Sequence, residues 1–467
     1  MKDDAKNKPT TAHPLPTKRT RKPPPERHAW FDPWLVAKRE PLRNLVGMTV
    51  KMIDHYEEHY KVRDRERRPD DAAKHRTMID VVISNLAHTV LAPPPTGRIA
   101  VRLGGQRRGL SRYNNRSLGP KPFRRLIYHL DEHDFLSLKL STQRGEVSSV
   151  APSEWFTRKI GELGVSFADF GRDPDEELIV LTRNTRSTTD TGERVTKRKP
   201  IDYKDTEQTC RYRDELRRLN SFIALADITF VDDGLEPPVN IYDRAMRRHF
   251  VILKDQPERF DQCGRLFGGF WLPLKSARRS GIRINGEPVA DLDFATMFTR
   301  LAYARLGACP PAGDLYAIEG AEGYRSGIKL AMNTFLFDTN MRRSKWPKEM
   351  GIGVGTDAEA RNPASAAAKF DHRLPAGWTV GRTRKAILKT HPKLRGTWGR
   401  GLGHELMFDE SRILLASLTR LMIEGIVALG MHDGLLVQHS KKDIAKAIME
   451  QAAREIAGME IKVEEKG

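Results

Sequence analysis

Two apolar runs in GIVALGMHDGLLVQ (425–438) flank His432-Asp433-Gly434. That pattern spells a β-hairpin with a carboxylate at its tip, and so puts a small sheet at this end of the chain. Asp followed by Gly is also ordinary turn chemistry. A second segment, IRINGEPVADLDFATMFTRLAYA (282–304), supplies a strand for that hairpin to lie beside. Asn285-Gly286 is a two-residue hairpin signal between β-type runs. The run after it delivers Asp293, and Met297, Leu301 and Ala304 then recur at helical spacing. An acid at a strand end just before a helix is well placed to hold a metal, and equally well placed to cap that helix. Were the strands to lie side by side, Asp293 and Asp433 could hold two divalent ions about 4 Å apart.

Between these segments lies YRSGIKLAMNTFLF (324–337). Arg325, Lys329 and Asn333 stand four apart, so one helix face presents two cations and an amide. Ile328, Ala331 and Phe335 can pack elsewhere. A triphosphate builds negative charge on its leaving group in the transition state and needs such cations. A solvated basic helix would show the same spacing.

The partner class follows from charge. Lys plus Arg is 80 against 61 acids, a formal charge of +19. That excess favours a polyanion. No lipidation motif, basic amphipathic anchor or apolar run of bilayer length is present, so no membrane partner is expected. Cys210, Cys263 and Cys309 form no CxxC pair, which fits a reducing compartment. The first residues lack the apolar stretch of a secretory signal. A cytoplasmic protein is expected.

In order and spacing, the three segments resemble motifs A, B and C of family A DNA polymerases and single-subunit phage-type RNA polymerases. DFATMFTRLAYA is similar to motif A in its Asp-aromatic start and in Arg300 seven residues later; RSGIKLAMNTFLF is similar to motif B in its Arg-x₃-Lys spacing; MHDGLLV carries the His-Asp core of motif C. The resemblance covers roughly 175 residues within 240–467. It implies that Asp293 and Asp433 are catalytic and ligate two Mg²⁺ ions, with Mn²⁺ able to substitute. It implies that Arg325 and Lys329, with Asn333 on the same face, contact the incoming triphosphate, and that His432 sits near the primer end. Phe298 stands where family A DNA polymerases carry Glu, and Phe337 where the family has Tyr; both departures tilt the reading toward deoxynucleotides. Gly434 stands where Glu or Ser is usual, and motif B lacks the family's aromatic-Gly ending. CGRLFGGFWLPL (263–274) resembles the Gly-Arg-x-aromatic element of phage-type RNA polymerases, which assigns Arg265, with Arg300, to primer and template. A buried aromatic cluster with glycine turns would read the same.

The N-terminal half carries no specific motif. Residues 1–29 read as a disordered basic arm, and 30–110 as a charged helical region. In 111–170, helical spacing (Phe123, Leu126, Ile127, Leu130), alternation (Leu136, Leu138, Leu140), a QRGE turn and renewed helical spacing (Phe156, Ile160, Leu163) resemble a winged helix. Its basic loop, 107–125, would face phosphate. A small α+β packing unit would read the same. Residues 171–239 read as a connector with a strand at 177–182 and a helix at 211–223. Residues 240–467 read as the polymerase-like unit, with a long helix from Asp409 to Leu429, a capping box at Ser440 and Asp443, and a last strand around Met459, Ile461 and Val463.

The expected architecture is therefore α+β: a palm of small antiparallel sheet and helices with helical fingers, after a winged-helix-like unit. The expected function is template-directed nucleotidyl transfer in replication or repair, on DNA and nucleoside triphosphates. The resemblance also fits a phage or mobile element. An RNA polymerase or primase, with RNA as partner, is the first alternative. A DNA-binding initiator or regulator with an inactive palm and a two-metal nuclease are the others.

Overall fold

The computed structural model describes residues 28–62, 65–104, 111–142, 146–188, 194–253, 256–340, 342–346, 352–354 and 372–466. The basic arm, but for residues 28 and 29, lies outside them, as do residues 107–110 of the basic loop and most of the QRGE turn.

The N-terminal half contains β1 (Ala29–Trp30), β2 (Leu35–Ala37), α1 (Glu40–His59), α2 (Pro69–Leu91), β3 (Ile99–Ala100), α3 (Pro120–Glu132), β4 (Leu136–Lys139), β5 (Ser149–Pro152), α4 (Glu154–Glu162) and β6 (Phe170–Arg172). Proline opens α1, α2 and α3, where its missing N–H would have no helical partner. The first turns of α2 are charged, but from Met78 to Thr89 the helix is buried on nearly every side. Leu42, Leu45, Ile83 and Leu86 share one core with Phe123, Ile127 and Phe156, so segments on both sides of residue 110 pack together. The helix–strand–strand–helix order expected over 112–165 is present as α3, β4, β5 and α4. β4 and β5 pair antiparallel, with Leu138 opposite Val150, in the sheet β1-β3-β5-β4. Leu140 falls past the end of β4 and is exposed.

Next come β7 (Ile179–Thr188), β8 (Arg194–Pro200), α5 (Glu207–Leu225), β9 (Ile228–Phe230), β10 (Met246–Ile252) and β11 (Cys263–Gly268). Thr206 caps α5 and, with Thr209, forms a reciprocal capping box. A four-stranded sheet runs β11-β10-β7-β8.

The C-terminal part continues with α6 (Ser276–Arg279), β12 (Ile282–Ile284), β13 (Glu287–Phe294), α7 (Met297–Arg305), α8 (Arg325–Phe337), β14 (Ile352–Val354), β15 (His372–Leu374), α9 (Val380–Thr390), α10 (Gly403–Ile423), β16 (Ala428–Gly430), β17 (Gly434–Gln438), α11 (Lys442–Ala457) and β18 (Val463–Glu465). Asn285 and Gly286 both take left-handed φ (51° and 78°), the geometry of a type I′ turn, and join β12 to β13. An antiparallel sheet runs β16-β17-β13-β12-β9, with β18 also on β13. Ala290, Leu292 and Phe294 point from β13 into the core, while Asp291 and Asp293 alternate onto the half-open face. Helices α7, α8, α10 and α11 contribute to the core behind that sheet. The chain is thus α+β, with several small sheets and eleven α-helices among the described residues.

Two local expectations are corrected. α10 stops at Ile423, not near Leu429: Gly425 turns left-handed (φ 68°), Ile426 N–H closes back on Leu421 C=O at 2.8 Å, and β16 begins three residues after Gly425. No side chain caps α11. A 3₁₀ turn over His439–Lys441 leads into it instead, and Ser440 N–H donates to Glu287 Oε2 at 3.2 Å.

Candidate active site

Asp293 lies opposite Gly434 in the β13–β17 ladder, and Phe294 N–H donates to Asp433 C=O at 3.1 Å. The two acid-bearing backbones are therefore neighbours, one residue out of register. The hairpin tip is closed by Met431 N–H to Gly434 C=O (2.8 Å) and anchored by Trp271 Nε1–H to Gly430 C=O (2.8 Å). A Cβ at position 434 would stand 2.0 Å from Leu292 C=O, so only glycine lets β17 approach β13 this closely. Glycine at 434 is thus a packing requirement. Asp293 does not cap α7: it lies three residues before the cap position, Thr296, and no side chain bonds that helix end.

Burial pushes the Asp293 carboxyl up to about 6, and the nearby Asp433 charge adds to the shift. Two cations oppose it. Lys466 Nζ lies 2.7 Å from Asp293 Oδ2, and Lys329 acts from further away. Asp293 Oδ1 is buried with no hydrogen-bond partner. A crowded pair of carboxylates with a spare oxygen is a hard donor set that fits Mg²⁺ or Mn²⁺. Lys466 was not anticipated. It follows β18, and its own N–H donates to Asp291 C=O at 2.8 Å, which fixes it beside Asp293. A basic residue just past the final apolar strand was the only sequence signal.

α8 carries its polar stripe as expected. Arg325 and Lys329 are exposed, Asn333 and Phe337 half-buried, and Ile328, Ala331, Met332 and Phe335 buried. Arg325 is engaged by Asp314, at 2.7 and 3.1 Å, and lies over Tyr316. Lys329 is the cation of this face whose charge reaches Asp293. Asn333 Oδ1 is buried and without a partner. A Cβ on Gly327 would meet Arg373 C=O at 1.6 Å, so glycine there lets the helix seat against β15.

Arg265 projects from β11, but its guanidinium is held by Glu410 of α10, at 2.6 and 3.0 Å. Burial pushes the Glu410 carboxyl up and Arg265 opposes it. Arg265 lies 5.6 Å from the Phe298 ring, and the Asp433 charge is felt at its guanidinium. Glu410 was missed by sequence reading, because one acid in a long amphipathic helix carries no distinguishing spacing. The His432 ring lies 5.4 Å from Phe267, and burial lowers its proton affinity. Phe298 and Phe337 meet edge to face at 5.5 Å, and His404 closes on Phe337 at 5.4 Å. Phe298 and Phe337 therefore form one aromatic wall. Arg300 turns back to Thr296 Oγ1 at 3.0 Å and near Tyr316, so it is not gathered with the carboxylates.

Two other features lie elsewhere. A cavity of about 920 Å³ is bounded by residues such as Asp32, His88, Arg172 and Asp243, away from the carboxylate pair. Among the described residues, Asp54, Glu57 and His75 also converge like metal ligands, but Arg67 already pairs with both carboxylates, at 3.2 and 2.7 Å. No protein-family profile and no curated protein matches this sequence. No helix among the described residues is long and apolar enough to cross a membrane.

Proposed function

We propose that the chain is a template-directed nucleotidyltransferase of the DNA polymerase kind, acting in replication or repair in the cytoplasm. The observation that carries this reading is the meeting of Asp293, at the end of β13, with Asp433, in the turn just before the antiparallel neighbour β17, where Phe294 N–H bonds Asp433 C=O and one Asp293 oxygen is buried and unpartnered. The β12–β13–β17 sheet with its covering helices would be the palm, α8 the fingers, and α3–β4–β5–α4 a winged-helix-like unit that adds DNA affinity.

Asp293 and Asp433 would hold the two metal ions, which when bound supply the charge that activates a primer 3′-hydroxyl and steadies the departing pyrophosphate. Lys329 faces the same space and would bind the triphosphate, with Asn333 beside it on the helix. Phe298 and Phe337 would form a wall against the sugar; a ring that crowds the 2′ position disfavours ribose. His432, tilted against Phe267, would orient the primer end. Arg265 is a positioning residue here: locked to Glu410, it steadies the floor beneath Phe298 and Asp433.

Primer extension tests the reading. Asp293→Asn and Asp433→Asn should each abolish incorporation with Mg²⁺ or Mn²⁺ and leave duplex binding within about threefold of wild type. Parallel reactions with dNTPs and rNTPs, on primed and unprimed templates, separate DNA synthesis from RNA synthesis and priming. A wild-type protein that binds DNA but adds no nucleotide under any of these conditions would replace the proposal with a DNA-binding protein built on an inactive palm.

A further inference from the structure

The sequence of 179–200, which contains the ribbon β7–β8, holds six cations (Arg183, Arg186, Arg194, Lys197, Arg198 and Lys199) and two acids. Register assigns the faces, because residues directly opposite across strands share one face. Arg198 is opposite Asn184, and Lys199 is opposite Arg183. Val180 is opposite His249, which is opposite Arg265. Val180, Thr182 and Asn184 alternate by two along β7, so Arg198, His249 and Arg265 lie on one face. Ile179 and Leu181 lie on the other, packed with Phe250, Tyr203 and Phe408.

Arg198's face leads inward to the carboxylates. His249 lies 4.6 Å from Phe267, and Phe267 lies 5.4 Å from His432. The positive charge of Arg198 is also felt at His404, which closes on Phe337. Arg198 is exposed and makes no hydrogen bond or ion pair to a described residue. An outer cation, then rings, then the paired acids is an order that suits a polyanionic strand with stackable bases. A single triphosphate is less well matched, since rings stand between Arg198 and the acids, and Lys329 is the cation proposed for that ligand.

The geometry points to a nucleic-acid strand lying along this sheet face, with a backbone phosphate on Arg198 and its 3′ end at Asp293 and Asp433. This rests on the nucleotidyl-transfer reading for the direction of the strand, while the phosphate contact stands on the ribbon itself. Lys199, adjacent in sequence but on the opposite face, provides an internal control for charge alone.

The test is fluorescence polarisation of a labelled primer–template duplex with the full chain over a series of salt concentrations. Arg198→Glu should weaken binding about tenfold or more and lower the salt slope by about one. Lys199→Glu should stay within about threefold, Arg198→Lys should bind as wild type, and dNTP affinity should be unchanged in Arg198→Glu. Equal weakening by Arg198→Glu and Lys199→Glu, no weakening by either, or loss of dNTP affinity with intact duplex binding would each overturn the assignment. Primer extension separates the two readings. Normal extension with no Arg198 effect on duplex binding sinks this contact alone. An Arg198-dependent duplex complex that never extends sinks nucleotidyl transfer and leaves the contact standing.

Discussion

Replacing Lys466 with Met should tighten divalent-ion binding in the absence of nucleotide. The Lys466 ammonium lies 2.7 Å from Asp293 Oδ2, so an incoming ion must displace it. A hydrogen bond to a charged group contributes about 1.5–3 kcal/mol when shielded. The Lys466 side chain is 47% exposed and that of Asp293 20%, so solvent screens the pair. A discounted value of about 1–2 kcal/mol corresponds to roughly 5- to 30-fold in the dissociation constant. Met keeps the length and apolar stem of the side chain, so packing beside β13 is conserved. Titration calorimetry with Mn²⁺ reads the change directly, without any need for turnover. Asp293→Asn serves as the control that removes the binding event. Unchanged or weaker Mn²⁺ affinity in Lys466→Met would refute the view that this lysine stands in for metal charge.

Gly434→Ala should destabilise the protein by at least about 2 kcal/mol, because the added methyl meets Leu292 C=O at 2.0 Å; urea unfolding measures it. Glu410→Leu alone should cost about 3–5 kcal/mol, since it strands the Arg265 guanidinium, whereas Arg265→Met with Glu410→Leu should recover at least half of that loss. An equally unstable double variant would show that the pair matters for something other than mutual neutralisation. His391 is fully buried, with Nε2 donating to Leu315 C=O (2.9 Å) and Nδ1 accepting from Tyr303 O–H (3.0 Å). Burial lowers its proton affinity, so its stabilising effect is present above pH of about 6.5 and is lost as pH falls below that value. His391→Asn should reduce the slope of stability against pH below 6.5 by up to about 1.4 kcal/mol per unit; an unaltered slope would show that the ring titrates freely.

The parts of the site that were legible in the sequence are those with local signatures. Asn285-Gly286 announces its turn because both residues tolerate left-handed φ. Arg325, Lys329, Asn333 and Phe337 share a stripe because helix period alone decides it. The overlong helix to Leu429 has an equally physical cause. β16 is buried on both faces, so its apolar run continues that of α10 without a change of period, and Glu424-Gly425 was the only break. Lys466 and Glu410 were out of reach because their meaning comes from partners far away in the chain. Arg265 was found for its glycine and aromatic surroundings, yet its immediate partner is a carboxylate on α10. The shared N-terminal core was hidden too, since the charged start of α2 gives no hint that Met78 onward is enclosed.

The strand that bears Asp293 finishes its hydrogen bonding only with β17 and β18, both encoded long after it. Closing such distant loops is entropically costly and slow, so this part of the molecule should form late in folding. During synthesis β13 must wait with open edges, and VADLDF is a short apolar-alternating segment able to pair with other chains. A chaperone that shields it, or slower growth at lower temperature, should therefore raise the yield of competent protein more than the yield of total protein.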